Sequence, residues 1–152
     1  MSGQSELFDT VQVPSISPRE FKNKVAEISG VQVIHGNPPS KSNSYIIIIL
    51  KNKDKSKQHG SLAKTKQLRQ YEKDFALQCN LYRNRNIDCE FGIEVDVYFQ
   101  TRRSDLDNCL KCLLDCLQQC NAIKNDNQCV KIIATKYIDP ANPRIEFTIK
   151  PL

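Results

Sequence analysis

Residues 104 to 121 constrain the fold more than any other stretch, because SDLDNCLKCLLDCLQQCN is apolar on only one side of a helix. At about 100° per residue from position 105, one arc holds Cys116, Cys109, Cys120, Leu113, Leu106, Leu117, Leu110 and Leu114. The opposite arc holds Asp107, Lys111 and Asp115, spaced i, i+4, i+8. Cys112 falls about 60° from Cys109, toward the polar side. Ser104 suits the N-cap, with Asp107 at its capping-box position and Asp105 in the first turn. So broad an apolar arc has to be covered by a sheet or another helix.

The rest of the chain supplies that cover. VQVIHG from Val31 alternates as a strand and runs into the turn-forming NPPSKSNS. YIIIILKNK follows as a strand, its β-branched run expected to be buried, and KNKDKSKQHGS as a lysine-rich loop. Residues 62–82 place Leu68, Tyr71, Phe75 and Cys79 at helical spacing, which predicts an amphipathic helix. Strands are expected over Cys89–Gln100, Gln128–Ile138 and RIEFTIKPL, the last two separated by a DPANP turn. The order β-β-α-β-α-β-β gives an α+β fold, a small mixed sheet with two main helices packed on one face. Residues 1–30 form an N-terminal extension, with a short helix expected from Ser17 or Pro18 to Ile28; residues 31–152 form one domain.

Composition narrows the function. No apolar window of about 18 residues exists, so no membrane span is expected. MSGQSELFDTVQVPS lacks the basic and apolar regions of a secretory signal, and a cytoplasmic setting follows as the expectation. Seven cysteines, an odd number, argue against a disulfide framework there and for buried thiols. Cys109-x-x-Cys112 has zinc-ligand spacing, but no second such pair exists, and His35 and His59 stand in unrelated contexts. The net charge of +5 is unevenly spread. Residues 31–85 carry 11 basic and 3 acidic groups, whereas residues 86–152 carry 8 basic and 10 acidic groups. A basic middle beside an acidic end fits a polyanion-binding surface next to carboxylates with another task. Lys51, Lys53, Lys55, Lys57, Lys64 and Lys66 suit phosphate contacts that read no sequence, and Lys41 and Asn43 in the proline turn could join them.

Asp105 and Asp107, one residue apart at a helix start, can aim their oxygens at one hard cation such as Mg²⁺. Acids at that position equally complement the helix dipole, and spacing alone leaves both readings open. Asp126 lies in KNDNQCV, between the helix and the next strand, and spacing does not bring it to Asp105 within one chain.

RRSDLDN-x₂-K-x₃-D followed by ND-x-Q-x-V resembles the signature of the RusA family of Holliday-junction resolvases. GNPPSKSNSY and QYEKDF extend the likeness, which covers about residues 31–150. The resemblance implies a Mg²⁺-dependent endodeoxyribonuclease, with Mn²⁺ as a substitute ion, that nicks four-way DNA junctions symmetrically as a homodimer. It implies Asp105, Asp107 and Asp126 as metal-binding carboxylates, Lys111 as the active-site lysine, and Arg102 and Arg103 as phosphate contacts. Asn125 departs from the pattern, standing where the family commonly has an acid, and Ser104 replaces a commonly basic residue. A branched-DNA-binding protein of the same fold that no longer cuts is the alternative these departures raise.

Overall fold

The computed structural model describes residue 19 and residues 30–40, 43–51 and 58–152. The expected helix near residues 17–28 lies outside these, apart from Arg19, as do Lys41, Lys53, Lys55 and Lys57. The elements are β1 (Gln32–His35), β2 (Tyr45–Lys51), β3 (Gln58–Lys64), α1 (Lys66–Gln78), β4 (Phe91–Phe99), α2 (Leu106–Gln119), β5 (Cys129–Ile138) and β6 (Arg144–Pro151). A single 3₁₀ turn, Asp126–Gln128, stands between α2 and β5.

Four strands form a mixed sheet in the order β1-β6-β4-β5. β4 and β5 are parallel, because α2 is the crossover between them, and the other pairings are antiparallel. The alternation read in the sequence decides the faces: Phe91, Ile93, Val95, Val97 and Phe99 of β4 are buried, as are Ile145, Phe147 and Ile149 of β6. Both helices pack over these residues. α1 brings Leu68, Tyr71 and Phe75, with Phe75 stacked on Phe147 at 6.2 Å, and α2 brings its cysteines and leucines. The opposite face is charged and open. There Arg144 lies 3.7 Å from the Tyr98 ring centroid and pairs with Glu146, while Lys150 pairs with Glu94.

Three expectations need correcting. The second half of the lysine-rich loop is a strand, β3, and Leu62, Ala63 and Lys64 pair with Ile47, Ile46 and Tyr45 rather than opening the helix. Helix α1 therefore starts at Lys66, capped by Thr65, whose Oγ1 accepts from the Leu68 N–H at 3.2 Å. Strand β2 is not buried: Ile47 is 74% exposed and Leu62, opposite it, 72%. The two strands form a sheet of their own, separate from the four-stranded one, so the β-branched run of β2 lies outside that sheet. Finally, α2 is N-capped by Asp105 instead of Ser104, and no side-chain hydrogen bond closes the cap. No helix among the described residues is long and apolar enough to cross a membrane.

Candidate active site

Helix α2 carries two kinds of chemistry on two sides. Cys109, Cys116 and Cys120 are buried as the wheel requires, and Cys112, expected toward the polar side, is buried as well. The buried arc is wider than one sheet contact would make it, because α1 also packs against α2 and lays Tyr71 beside these thiols. Burial pushes the Cys109 thiol up to about 12, and a hydrogen bond with Cys112 raises Cys116. The CxxC pair is part of the core.

The exposed side holds Asp107, Lys111 and Asp115. Lys111 turns away from Asp107, and its Nζ lies 3.9 Å from Asp115 and 2.8 Å from Asp126 Oδ2. Asp126 comes from beyond the helix, and the local sequence explains how it returns. Asn121 takes φ 58° just past the C-cap Cys120, a left-handed conformation that asparagine tolerates better than most residues. Ala122 N–H then donates to Leu117 O and Asn121 N–H to Gln118 O, a Schellman end that reverses the chain. Residues 122–124 run along Ile87, with Ile87 N–H donating to Ala122 O and Lys124 N–H to Ile87 O. The following 3₁₀ turn is capped by Asn125, whose Oδ1 accepts from Asn127 N–H at 3.1 Å. The Asp126 N–H donates to Gln118 Oε1 at 3.1 Å, which seats the carboxylate beside Lys111. Gln118, on the polar side of α2, went unnoticed in the sequence because only the chain reversal gives it a partner.

Asp115, Gln118, Gln119 and Asp126 line an open cleft of ≈ 340 Å³. The hydrogen bond with Asp126, then the charges of Asp115 and Asp126, raise the Lys111 ammonium above its ordinary value, so it stays protonated. Asp105 and Asp107 stand farther toward the N-terminus of the helix, both exposed, with Asn108 Nδ2 donating to Asp105 Oδ2 at 3.4 Å. Lys111 is six residues past Asp105, about 9 Å along the axis. Accordingly, no three His, Cys, Asp or Glu side chains among the described residues converge where one ion could be held. The structure joins Asp126 to Lys111, not to Asp105.

The basic residues divide. Arg102 and Arg103 are exposed in the turn leading into Asp105. Asn37 Oδ1 accepts from Gln100 N–H at 2.9 Å, so the proline turn carrying exposed Asn43 is tied to the chain just before that turn. Gly36 opens the proline turn at φ 119°, a conformation that needs glycine. Lys66 is exposed at the start of α1, Lys64 is paired with Glu72 at 2.9 Å, and Lys51 ends β2.

A model of the family described as Endodeoxyribonuclease RusA matches residues 45–150, from the first strand of the hairpin to the last strand of the sheet. No curated protein matches the chain. The matched segment holds the α2 acids, Lys111 and the Asp126 turn in one continuous domain, and the chain belongs to the RusA endodeoxyribonuclease family, nucleases that resolve Holliday junctions.

Proposed function

We propose that this endonuclease resolves four-way DNA junctions by paired, symmetric nicks, with Mg²⁺ as its ion and Mn²⁺ as a substitute. The observation that carries this reading is the meeting of Lys111 and Asp126 at 2.8 Å on the exposed side of α2 that also bears Asp107. Two segments of the family pattern, distant in sequence, thereby share one surface.

Hydrolysis replaces a bridging P–O bond with one to water. A bound Mg²⁺ supplies charge neutralisation at a non-bridging oxygen and lowers the pKa of the attacking water. Asp105, Asp107 and Asp126 are the residues to hold it. The first two fit that donor set: both are exposed carboxylates with hard oxygens, and Asp105 spends no oxygen on capping its helix. Asp126 would be the third, although no three acids converge among the described residues and it stands beside Lys111 rather than Asp105. The protonated Lys111 fixes Asp126 and offers positive charge to phosphate oxygens as their charge grows in the transition state. Arg102 and Arg103 hold the flanking phosphate. Asn43, Lys51, Lys64 and Lys66, with Lys41, Lys53, Lys55 and Lys57, contact the backbone without reading sequence; Lys64 must first release Glu72.

Two nicks in opposed strands call for two sites related by a dyad, hence a homodimer. Exposed apolar surface supports it: Ile46, Ile47, Ile48 and Leu62 on the hairpin, and Val130, Ile132 and Ile133 on the edge strand β5, are all at least 40% exposed. Residues 31–152 are the catalytic domain, residues 1–30 an extension, and the cytoplasm the working compartment. The test is incubation with a synthetic four-way junction and Mg²⁺. Paired nicks across the junction are expected; binding without cutting would contradict the enzyme reading and favour a non-cutting junction binder.

A further inference from the structure

Strand β5 carries a lysine where its pattern calls for an apolar residue. Ile132, Ala134, Lys136 and Ile138 lie opposite Ile93, Val95, Val97 and Phe99 of β4, and parallel pairing puts each on the helix side of the sheet. Lys136 is exposed, yet its ammonium has partners. Its Nζ donates to Arg102 O at 3.1 Å and also to Ser104 O, and it lies 5.6 Å from the Phe99 ring centroid. Two carbonyls two residues apart thus converge on one cation, in the turn that ends at Asp105. That turn lies between the end of β4 and the start of α2, and Asp105 makes no side-chain cap bond of its own to fix it.

We infer that Lys136 is a positioning residue for the metal-binding end of the site: its ammonium clamps the 102–104 backbone so that Asp105 and Asp107 project in a fixed geometry. The inference rests on the reading of those aspartates as metal ligands. An ammonium suits the task because it has three donors and no acceptor, so it can gather several carbonyls at once. Its charge also makes each bond stronger than a neutral donor would. The role assigned to Lys136 needs no contact with substrate or ion. Its effect passes through the backbone, as with the outer partners of metal ligands, whose loss typically lowers affinity about 10- to 100-fold.

The experiment compares the unaltered full chain with Lys136→Met and Lys136→Arg. Met keeps the aliphatic stem and removes the charge; Arg keeps a cation able to donate to both carbonyls. Three readouts are taken together: amide hydrogen exchange residue by residue, Mn²⁺ affinity by titration without DNA, and junction binding without metal. With Lys136→Met, exchange at residues 103–106 should quicken at least tenfold while β4 stays protected. Mn²⁺ affinity should fall about tenfold, junction binding should hold, and Lys136→Arg should recover part of both losses. Unchanged exchange at 103–106 would overturn the clamp. Unchanged Mn²⁺ affinity would overturn its link to the aspartates, and faster exchange throughout β4 and β5 would make Lys136 a general structural tie. If the unaltered protein bound no Mn²⁺ and cut no junction, the metal reading itself would fall, while the exchange measurement would still decide whether Lys136 holds the loop.

Discussion

The two sides of α2 follow the same helical spacing and meet different fates. On one side Cys109, Cys112, Leu113, Cys116 and Leu117 are buried between the sheet and α1. On the other, Asp107, Lys111 and Asp115 face solvent and a single turn of chain. The cysteines carry the more eye-catching motif, yet they are buried and packed, with the thiols of Cys109 and Cys116 pushed up. The acids have an unremarkable spacing, and what distinguishes them arrives from outside the helix, as Asp126. The proposed active face is thus marked less by its own residue types than by what the rest of the chain delivers to it.

Damage to each side should separate cleanly. Leu117→Ala on the buried side should destabilise the protein by about 2–5 kcal/mol, read by denaturant unfolding, while the molecules that remain folded keep their nicking rate. Lys111→Met on the exposed side should do the reverse. Its nicking rate should drop about a hundredfold or more, with stability changed by less than about 0.5 kcal/mol because the ion pairs it loses are solvent-exposed. If Lys111→Met unfolded the protein instead, the ion pair would be structural and the contrast between the sides would fail.

Alkaline pH sharpens the same contrast. The Cys109 thiol titrates at about 12 in the folded chain against an ordinary 9.0, so above pH 9 the folded state keeps a proton that the unfolded chain releases. Stability should be full below pH 9 and decline as pH rises toward 12, measured by urea unfolding across that range. Lys111 is shifted upward too, so its contribution holds below its ordinary 10.5 and is lost as pH rises through its higher folded value. Being half exposed, it adds little. Replacing Cys109 by Ala should make the decline shallower without abolishing it, because Cys116 and Tyr71 are raised as well; an unchanged curve would place its origin elsewhere. The smallest effect concerns DNA contacts away from α2: Lys66→Ala should weaken junction binding modestly and reduce its salt slope by about one.

Much of the fold was legible because burial on β4 and β6 alternates along the strand. β4 shows Phe91, Ile93, Val95, Val97 and Phe99 inward with Glu94 outward, a pattern a sequence can announce. β3 was not legible. QHGSLAK has Gly60 in its middle and only Leu62 and Ala63 as apolar residues, and its partner β2 supplies the pairing that holds it. The exposure of the β2 isoleucines was equally hidden, since a run of β-branched residues looks the same covered or bare. In the site, Lys111 with Asp115 could be read from i, i+4 spacing, and Asp105 with Asp107 as candidate ligands. The place of Asp126 depends on a positive φ at Asn121 and on Gln118 catching a backbone N–H, neither of which the spacing reveals. Lys136 carries no signal in the sequence, because the carbonyls it gathers belong to a turn thirty-odd residues earlier in the chain.

The central claim is that the acidic side of α2 performs the cutting, and Asp107→Asn tests it most directly. The substitution preserves size and polarity and removes one exposed carboxylate. Junction binding and nicking in Mg²⁺ should be measured on the same preparation. The account predicts nicking lost by a hundredfold or more, with junction affinity and unfolding midpoint unchanged; nicking at the unaltered rate would contradict it.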